Sequence, residues 1–281
     1  MGVKIIIDST TNISENLKDR FKIVPLNVYF GDEEYLDGVT ITNSEFYEKL
    51  VSSDNLPKTS LASPDRFAKA FEEEVAAGNS VVVITLASKL SGTHQSAVIA
   101  AEDFEGKVFV VDSKNVAIGA GILAEYALKL ADEGMEAEQI ASELNKQSER
   151  VRIVAVLDTL EFLKRGGRIS KSSAVVGGML NIKPIVGVEN GEILSLGKAR
   201  GSKLAAKTMN EEIEKIGGID FDMPVVFGYT GLEDTMLNEY ISKNSDKYET
   251  LGSELKGISI GSVVGTHAGP DAYAVAFFAK Q

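Results

Sequence analysis

The chain has no cysteine, only two histidines and no long apolar run among its 281 residues. The missing cysteines exclude disulfides, thiolate nucleophiles and most zinc motifs. His94 and His267 belong to no recognisable ligand spacing, so no metal site is expected. Without about twenty consecutive apolar residues, no membrane-spanning helix is expected either. The first residues, Met1 to Asp8, run straight into a strand and lack the regions of a signal peptide, so the expected location is cytoplasmic. Positive charge is also scarce. The formal net charge of -12 argues against nucleic acid as a main partner, because phosphate binding needs a basic surface.

In so acidic a chain, local basic clusters carry information. Lys164, Arg165, Arg168 and Lys171 fall within residues 164–171 with no acid among them. Lys198, Arg200, Lys203 and Lys207 do the same within 198–207. Each alone reads as solvated surface; two, both interleaved with glycine, point towards an anion site.

Hydrophobic residues make up 44% of the chain and charged residues 25%, the balance of a soluble globular protein long enough for one large or two ordinary domains. Residues 3–8, 81–86, 107–112 and 151–157 read as strands, alternating with helices over 64–77, 116–132 and 137–148. That alternation predicts a parallel sheet covered on both faces. Residues 23–30 read as one strand with Pro25 near its start, and 44–52 as a helix capped by Asn43 or Ser44. From Asp158 the character changes: a hairpin is expected around Asn190-Gly191, then helices over 203–216 and 233–243 and strands over 224–229, 258–260 and 272–278. The expected architecture is α/β in two domains, an N-terminal parallel-sheet domain over 1–155 and a C-terminal α/β domain over 156–281.

The organising stretch is Leu90-Ser91-Gly92-Thr93-His94-Gln95-Ser96-Ala97, between the strand Val81–Leu86 and a helix. Such a turn is where open α/β folds place ligands, and free N–H groups at a helix start favour an anion. Ser91, beside Gly92, stands there with a hydroxyl to donate. Thr59 and Ser60 lie in a loop before the Ser63 cap and Pro64, with no structural duty assigned. His267, between glycines and Pro270 in an apparent turn, reads either as structural or as functional.

Other motifs are weaker. Gly119-Ala120-Gly121-Ile122-Leu123-Ala124 matches a dinucleotide pattern but starts seven residues beyond Asp112, so it reads as helix packing. No P-loop is present. Ser91 is not in a nucleophile elbow, and His94 lies beyond it on the helix. Asp112 and Asp158 read as caps. Residues Ala174 to Ile182 read as core or as the wall of an apolar cavity, where Gly177 and Gly178 leave room for a chain-like ligand.

The chain resembles the DegV family, the bacterial fatty-acid-binding group whose members serve as the lipid-carrying subunit of fatty acid kinase. The matching residues run nearly end to end: Asp8-Ser9-Thr10, Lys58-Thr59-Ser60 with Ser63-Pro64, Ser88-Lys89-Leu90-Ser91-Gly92-Thr93, Val111-Asp112-Ser113, Leu163 to Ser170, Leu180 to Ile185, Gly197-Lys198-Ala199-Arg200-Gly201 and Thr266-His267-Ala268-Gly269-Pro270. The resemblance departs at His94, often an aromatic in the family, and at Leu61-Ala62, often a glutamine-proline pair. It implies a two-domain DegV-like α/β fold with a buried acyl chain. It implies carboxylate contacts from Thr59 and Ser91, with Ser60 and Gly92 beside them and His267 and Arg200 near the head group. It further implies no catalytic residue and no cofactor beyond the bound long-chain fatty acid. The partner is a separate ATP-dependent kinase subunit that phosphorylates the acid to an acyl phosphate, and basic residues 164–171 are expected to meet it. Transient contact with a membrane remains open. The competing reading is a small-molecule phosphotransferase or hydrolase using Ser91 and His267.

Overall fold

A computed structural model describes residues 2–53, 56–169, 181–252, 255 and 257–280. Strand β1 (Val3–Asp8) has β2 (Lys22–Val24) parallel beside it. The run expected as one strand over 23–30 divides at Pro25. β2 ends at Val24, and β3 (Asn27–Phe30) pairs in another sheet, antiparallel to β4 (Glu33–Leu36). Proline fixes φ and brings no N–H to a ladder, so the chain changes sheets across it. Helix α1 (Asn43–Ser52) is capped by Thr42 rather than by Asn43 or Ser44: Thr42 Oγ1 accepts from the Glu45 N–H, and the Glu45 carboxylate accepts from the Thr42 N–H at 2.8 Å. β5 (Lys58–Ser60) then joins β3 as the third strand of the small sheet. Helix α2 (Pro64–Ala76) starts after Ser63 with proline in its first turn, as expected.

The expected parallel sheet forms next. β6 (Ser80–Thr85), α3 (Thr93–Ala101), β7 (Val108–Asp112), α4 (Ala117–Asp132) and α5 (Ala137–Gln147) complete a four-stranded sheet in the order β2-β1-β6-β7. Its strands are apolar on both faces because both are covered. Ile6, Val81 and Val83 pack with Phe67, Phe71 and Ala97 of α2 and α3. Ile5, Ile7, Val82 and Ile84 face the other way, towards α4 and α5.

The second half supplies β8 (Val151–Val156), α6 (Glu161–Arg165), β9 (Ile182–Glu189), β10 (Glu192–Arg200), α7 (Ser202–Lys215), β11 (Val226–Tyr229), α8 (Thr235–Lys243), β12 (Gly257–Ser259), α9 (Ser262–Ala268) and β13 (Tyr273–Phe278). These strands form a six-stranded sheet in the order β10-β9-β8-β13-β11-β12. The β9–β10 hairpin turns at Asn190 and Gly191, both with positive φ, as a two-residue turn matching the strand twist requires. β8, which spans the end of the expected N-terminal domain, hydrogen-bonds to β9 and β13 within this second sheet.

Period-two alternation gives the six-stranded sheet two apolar faces. Val154, Val156, Ile185 and Phe277 pack against Met209 and Ile213 of α7 and Leu237 of α8. Ile153, Ala155, Val186 and Val188 share a core with α4 and the parallel sheet. Helix α4 therefore lies between the two sheets and is buried on nearly every side, which explains its apolar composition. A Cβ on Gly121 would stand 2.0 Å from the Asn12 carbonyl oxygen, so the glycine pattern serves close packing, as expected. Among the described residues, no helix is long and apolar enough to cross a membrane.

Candidate functional site

The cavity arises where the second sheet carries small residues opposite α4. Ala155 and Ala274 face this space, with the Gly187 backbone in its lining and Ala272 just before β13, while Val116 and Ile118 approach from the start of α4. The remaining walls include Ile153, Leu157, Val186 and Ile193. The space measures about 1070 Å³ with its mouth included. Small-ligand pockets are mostly apolar with a few placed polar groups.

Those polar groups are contiguous. Thr59 Oγ1 lies 2.9 Å from His267 Nε2. Nδ1 of His267 lies against Gly166, whose Cβ, if present, would stand 2.2 Å away. Arg168 donates from Nη1 to the Gly166 carbonyl at 2.5 Å and from Nε to the Leu90 carbonyl at 3.3 Å, beside Ser91. Thr59, Ser60, Ser91, Arg168 and His267 all line the cavity. Thr10 and Thr230 line it too, but their oxygens are engaged: Thr10 donates to Asp8, and Thr230 Oγ1 accepts from the Ala272 N–H.

His267 sits in the last turn of α9, not in the open turn that its glycine-rich surroundings suggest. Burial pushes its pKa down to about 4, and the positive charge of Arg168 adds to the effect, so the ring is neutral at pH 7. Two contacts seat this short helix. The buried Asp37 carboxylate accepts from the Ser262 N–H at 2.9 Å and its hydroxyl at 2.6 Å. Gly265 leaves space for Tyr47, whose hydroxyl donates to the Ile260 carbonyl at 3.0 Å. Burial raises the Asp37 pKa above the usual carboxylate range.

The Ser91 loop is held by a second buried acid. Asp8 accepts from the Thr10 N–H at 2.9 Å, the Thr10 hydroxyl at 2.5 Å and the Leu86 N–H at 2.7 Å, which fixes the end of β6. Desolvation raises its pKa to about 6 against these hydrogen bonds. Ser91 Oγ accepts from the Thr93 N–H at 3.2 Å and lies 3.0 Å from Thr93 Oγ1. The imidazole therefore contacts Thr59, whereas Ser91 has Thr93 as its partner, an arrangement without a Ser91–histidine pair. Among the described residues, no cluster of three or more His, Asp or Glu side chains is spaced for a metal ion.

The same organisation extends to known proteins. The DegV family model matches residues 2–280. The chain belongs to the DegV family. A DegV domain-containing protein of Caldanaerobacter subterraneus subsp. tengcongensis is 37% identical over 286 residues, covering 99% of each chain. A solved DegV family protein from Thermus thermophilus, described as fatty-acid-binding, superposes with a TM-score of 0.87 at 29% identity, over 99% of this chain and 100% of the other. A stearic-acid-binding protein from Eubacterium ventriosum superposes with a TM-score of 0.81 at 30% identity, over 98% and 97%.

In this DegV chain the structure brings Thr59, Ser60, Ser91 and His267 to one cavity, with Thr59 and Ser60 on the edge strand β5 rather than in a loop. Two other expected residues are elsewhere. Arg200 is exposed at the end of β10, an edge strand of the six-stranded sheet, and does not line the cavity. Arg168, from the first basic cluster, is the arginine that does. Gly92 is the exposed N-cap of α3 and lies against Leu61, where a Cβ would come 3.0 Å from Leu61 Cδ2. His94 turns inward, its Nδ1 2.9 Å from Thr85 Oγ1. Asp112 accepts from the Lys114 N–H at 2.8 Å, as a turn cap does, and Asp158 pairs with Lys183. Lys171 and the expected cavity wall over Ala174–Leu180 lie outside the described residues. Asp37 was not signalled by its local sequence, since its partner Ser262 is 225 residues away.

Proposed function

We propose that this protein binds a long-chain fatty acid, with the acyl chain between the two sheets and the carboxylate at Thr59, Ser60, Ser91, Arg168 and His267. The observation that carries the reading is an apolar cavity with Thr59, Ser60, Ser91, Arg168 and His267 gathered in one polar patch of its lining. Each buried methylene contributes about 0.8 kcal/mol, so the tail supplies most of the affinity. The patch fixes which end stays near the mouth and meets the buried carboxylate with hydrogen bonds and one positive charge. Structural relatives described as fatty-acid-binding support the same assignment.

We further propose that the chain presents the acid to a separate ATP-dependent kinase subunit, which forms the acyl phosphate, rather than performing chemistry itself. The experiment is native mass spectrometry of the purified chain, followed by incubation with a fatty acid kinase catalytic subunit and ATP. A co-purifying mass of a C14–C18 fatty acid, converted to acyl phosphate only when both proteins are present, supports the reading. A ligand-free chain that hydrolyses ATP or esters unaided would favour the alternative enzyme built on Ser91 and His267.

A further inference from the structure

Two of the cavity hydroxyls, Ser91 and Thr59, are each paired with a neighbour that can be assigned as a donor. Thr93 is fully buried, and its hydroxyl has one partner among the described residues, Ser91 Oγ at 3.0 Å. A hydroxyl has one hydrogen and two lone pairs. If Ser91 donated to Thr93, the Thr93 hydrogen would be buried with no acceptor. Thr93 is therefore the donor, and its N–H donates to the same oxygen at 3.2 Å. Both lone pairs of Ser91 are then occupied, and its hydrogen is left to point into the cavity that Ser91 lines.

Thr59 is treated the same way from the other side. His267 Nδ1 is buried with no hydrogen-bond partner, while Nε2 lies 2.9 Å from Thr59 Oγ1. A neutral imidazole carries one N–H, and an orphaned buried N–H is rare in folded proteins. Arg168 is tied to Gly166, the residue against Nδ1, and its positive charge disfavours a proton on that side. The proton belongs on Nε2, which donates to Thr59 and leaves the Thr59 hydrogen for the ligand.

Building on the fatty-acid reading, we propose that Thr93 and the Nε2–H of His267 act as positioning donors. They set Ser91 and Thr59 as a pair of outward hydroxyl donors, so the site selects an ionised carboxylate over head groups that must themselves donate. A carboxylate accepts at both oxygens and donates nothing. A fatty alcohol of equal tail length brings a hydrogen for which Ser91, with both lone pairs occupied, has no place.

The test compares myristate with tetradecanol on the delipidated full-length chain at pH 7.5, using wild type, Thr93→Val and Thr93→Ser. Wild type should prefer the carboxylate by at least about a hundredfold, as sites built around a polar partner do. Thr93→Val should compress that ratio about tenfold, the scale of one hydrogen bond to a charged group. Thr93→Ser, which keeps the hydroxyl, should restore it. A merely structural role for Thr93 would weaken both ligands together and leave the ratio alone, which would overturn the proposal. Nitrogen NMR of ¹⁵N-histidine-labelled wild type reads the tautomer without any mutation, and with two histidines the assignment is direct. The expected result is a bare Nδ1 and a protonated Nε2 at His267; a proton on Nδ1 overturns the proposal. If wild type binds neither amphiphile, the fatty-acid reading fails and the selection falls with it. If it binds both alike, only the donor assignment fails.

Discussion

A methyl group on Gly166 would stand 2.2 Å from Nδ1 of His267. The residue at the end of α6 thus sets how far the imidazole can retreat, and so whether Nε2 reaches Thr59. Gly166→Ala should displace the ring and break that bond. Fatty acid affinity is expected to fall about tenfold, because Thr59 is then no longer held for its hydrogen bond to the proposed carboxylate. Calorimetric titration of the delipidated variant measures it, and unchanged affinity would remove Gly166 from the account of the site.

The cavity exists because small side chains face it from the second sheet. Ala274→Leu adds apolar volume where the acyl chain is proposed to run. Filling empty apolar space gains dispersion contacts and burial, so the ligand-free variant should melt at or above the wild-type temperature. Myristate affinity should fall at least about tenfold, because the tail and the new side chain compete for the same volume. Lower affinity without loss of ligand-free stability separates occlusion from misfolding.

Two buried groups give stability opposite pH dependences. His267 has its pKa lowered from 6.5 to about 4, so the unfolded chain binds the extra proton between those values. Its contribution to stability is present above about pH 6.5 and is lost as pH falls towards 4. Asp8 is raised from 3.8 to about 6, so its contribution runs the other way and is lost as pH rises through that window. The stability of wild type minus that of His267→Gln should therefore increase from pH 4 to 6.5, by chemical denaturation at each pH. A difference that is flat across this range would mean that His267 titrates normally.

Ser91→Ala and Thr59→Ala each remove one donor and leave the apolar walls intact. With about 0.8 kcal/mol from each buried methylene, either variant should keep most tail affinity and lose no more than about tenfold. Acyl phosphate formation by the proposed kinase subunit should drop further, because a carboxylate free to swivel is poorly placed to attack a phosphoryl group. Equal losses in binding and turnover would argue against a positioning role for these hydroxyls.

Strands with unbroken apolar runs were legible because covered sheets demand them, and Val81–Thr85 folds where its composition points. The division at Pro25 was harder, since both sides have strand composition and the change of sheet depends on which partner each meets. Thr59, Ser91 and His267 were readable as candidate polar residues on loops, and the structure brings them to one cavity. The choice between Arg168 and Arg200 was not readable. Both stand in glycine-interleaved basic clusters, and only the edge position of β10 sends Arg200 away from the cavity. The helix bearing His267 was hidden for a related reason: its N-terminal support is Asp37, from the other half of the chain.

The apolar walls of the cavity belong to the same core that joins the two sheets: Ile118, Ile153, Val186 and Ile193 serve both. An acyl chain lodged there would act as a stretch of hydrophobic interior that the gene does not encode. Any ligand that binds only the folded form stabilises it by mass action. Cargo status would then be written into unfolding, and a protease sampling opened molecules would remove the empty protein faster than the loaded one.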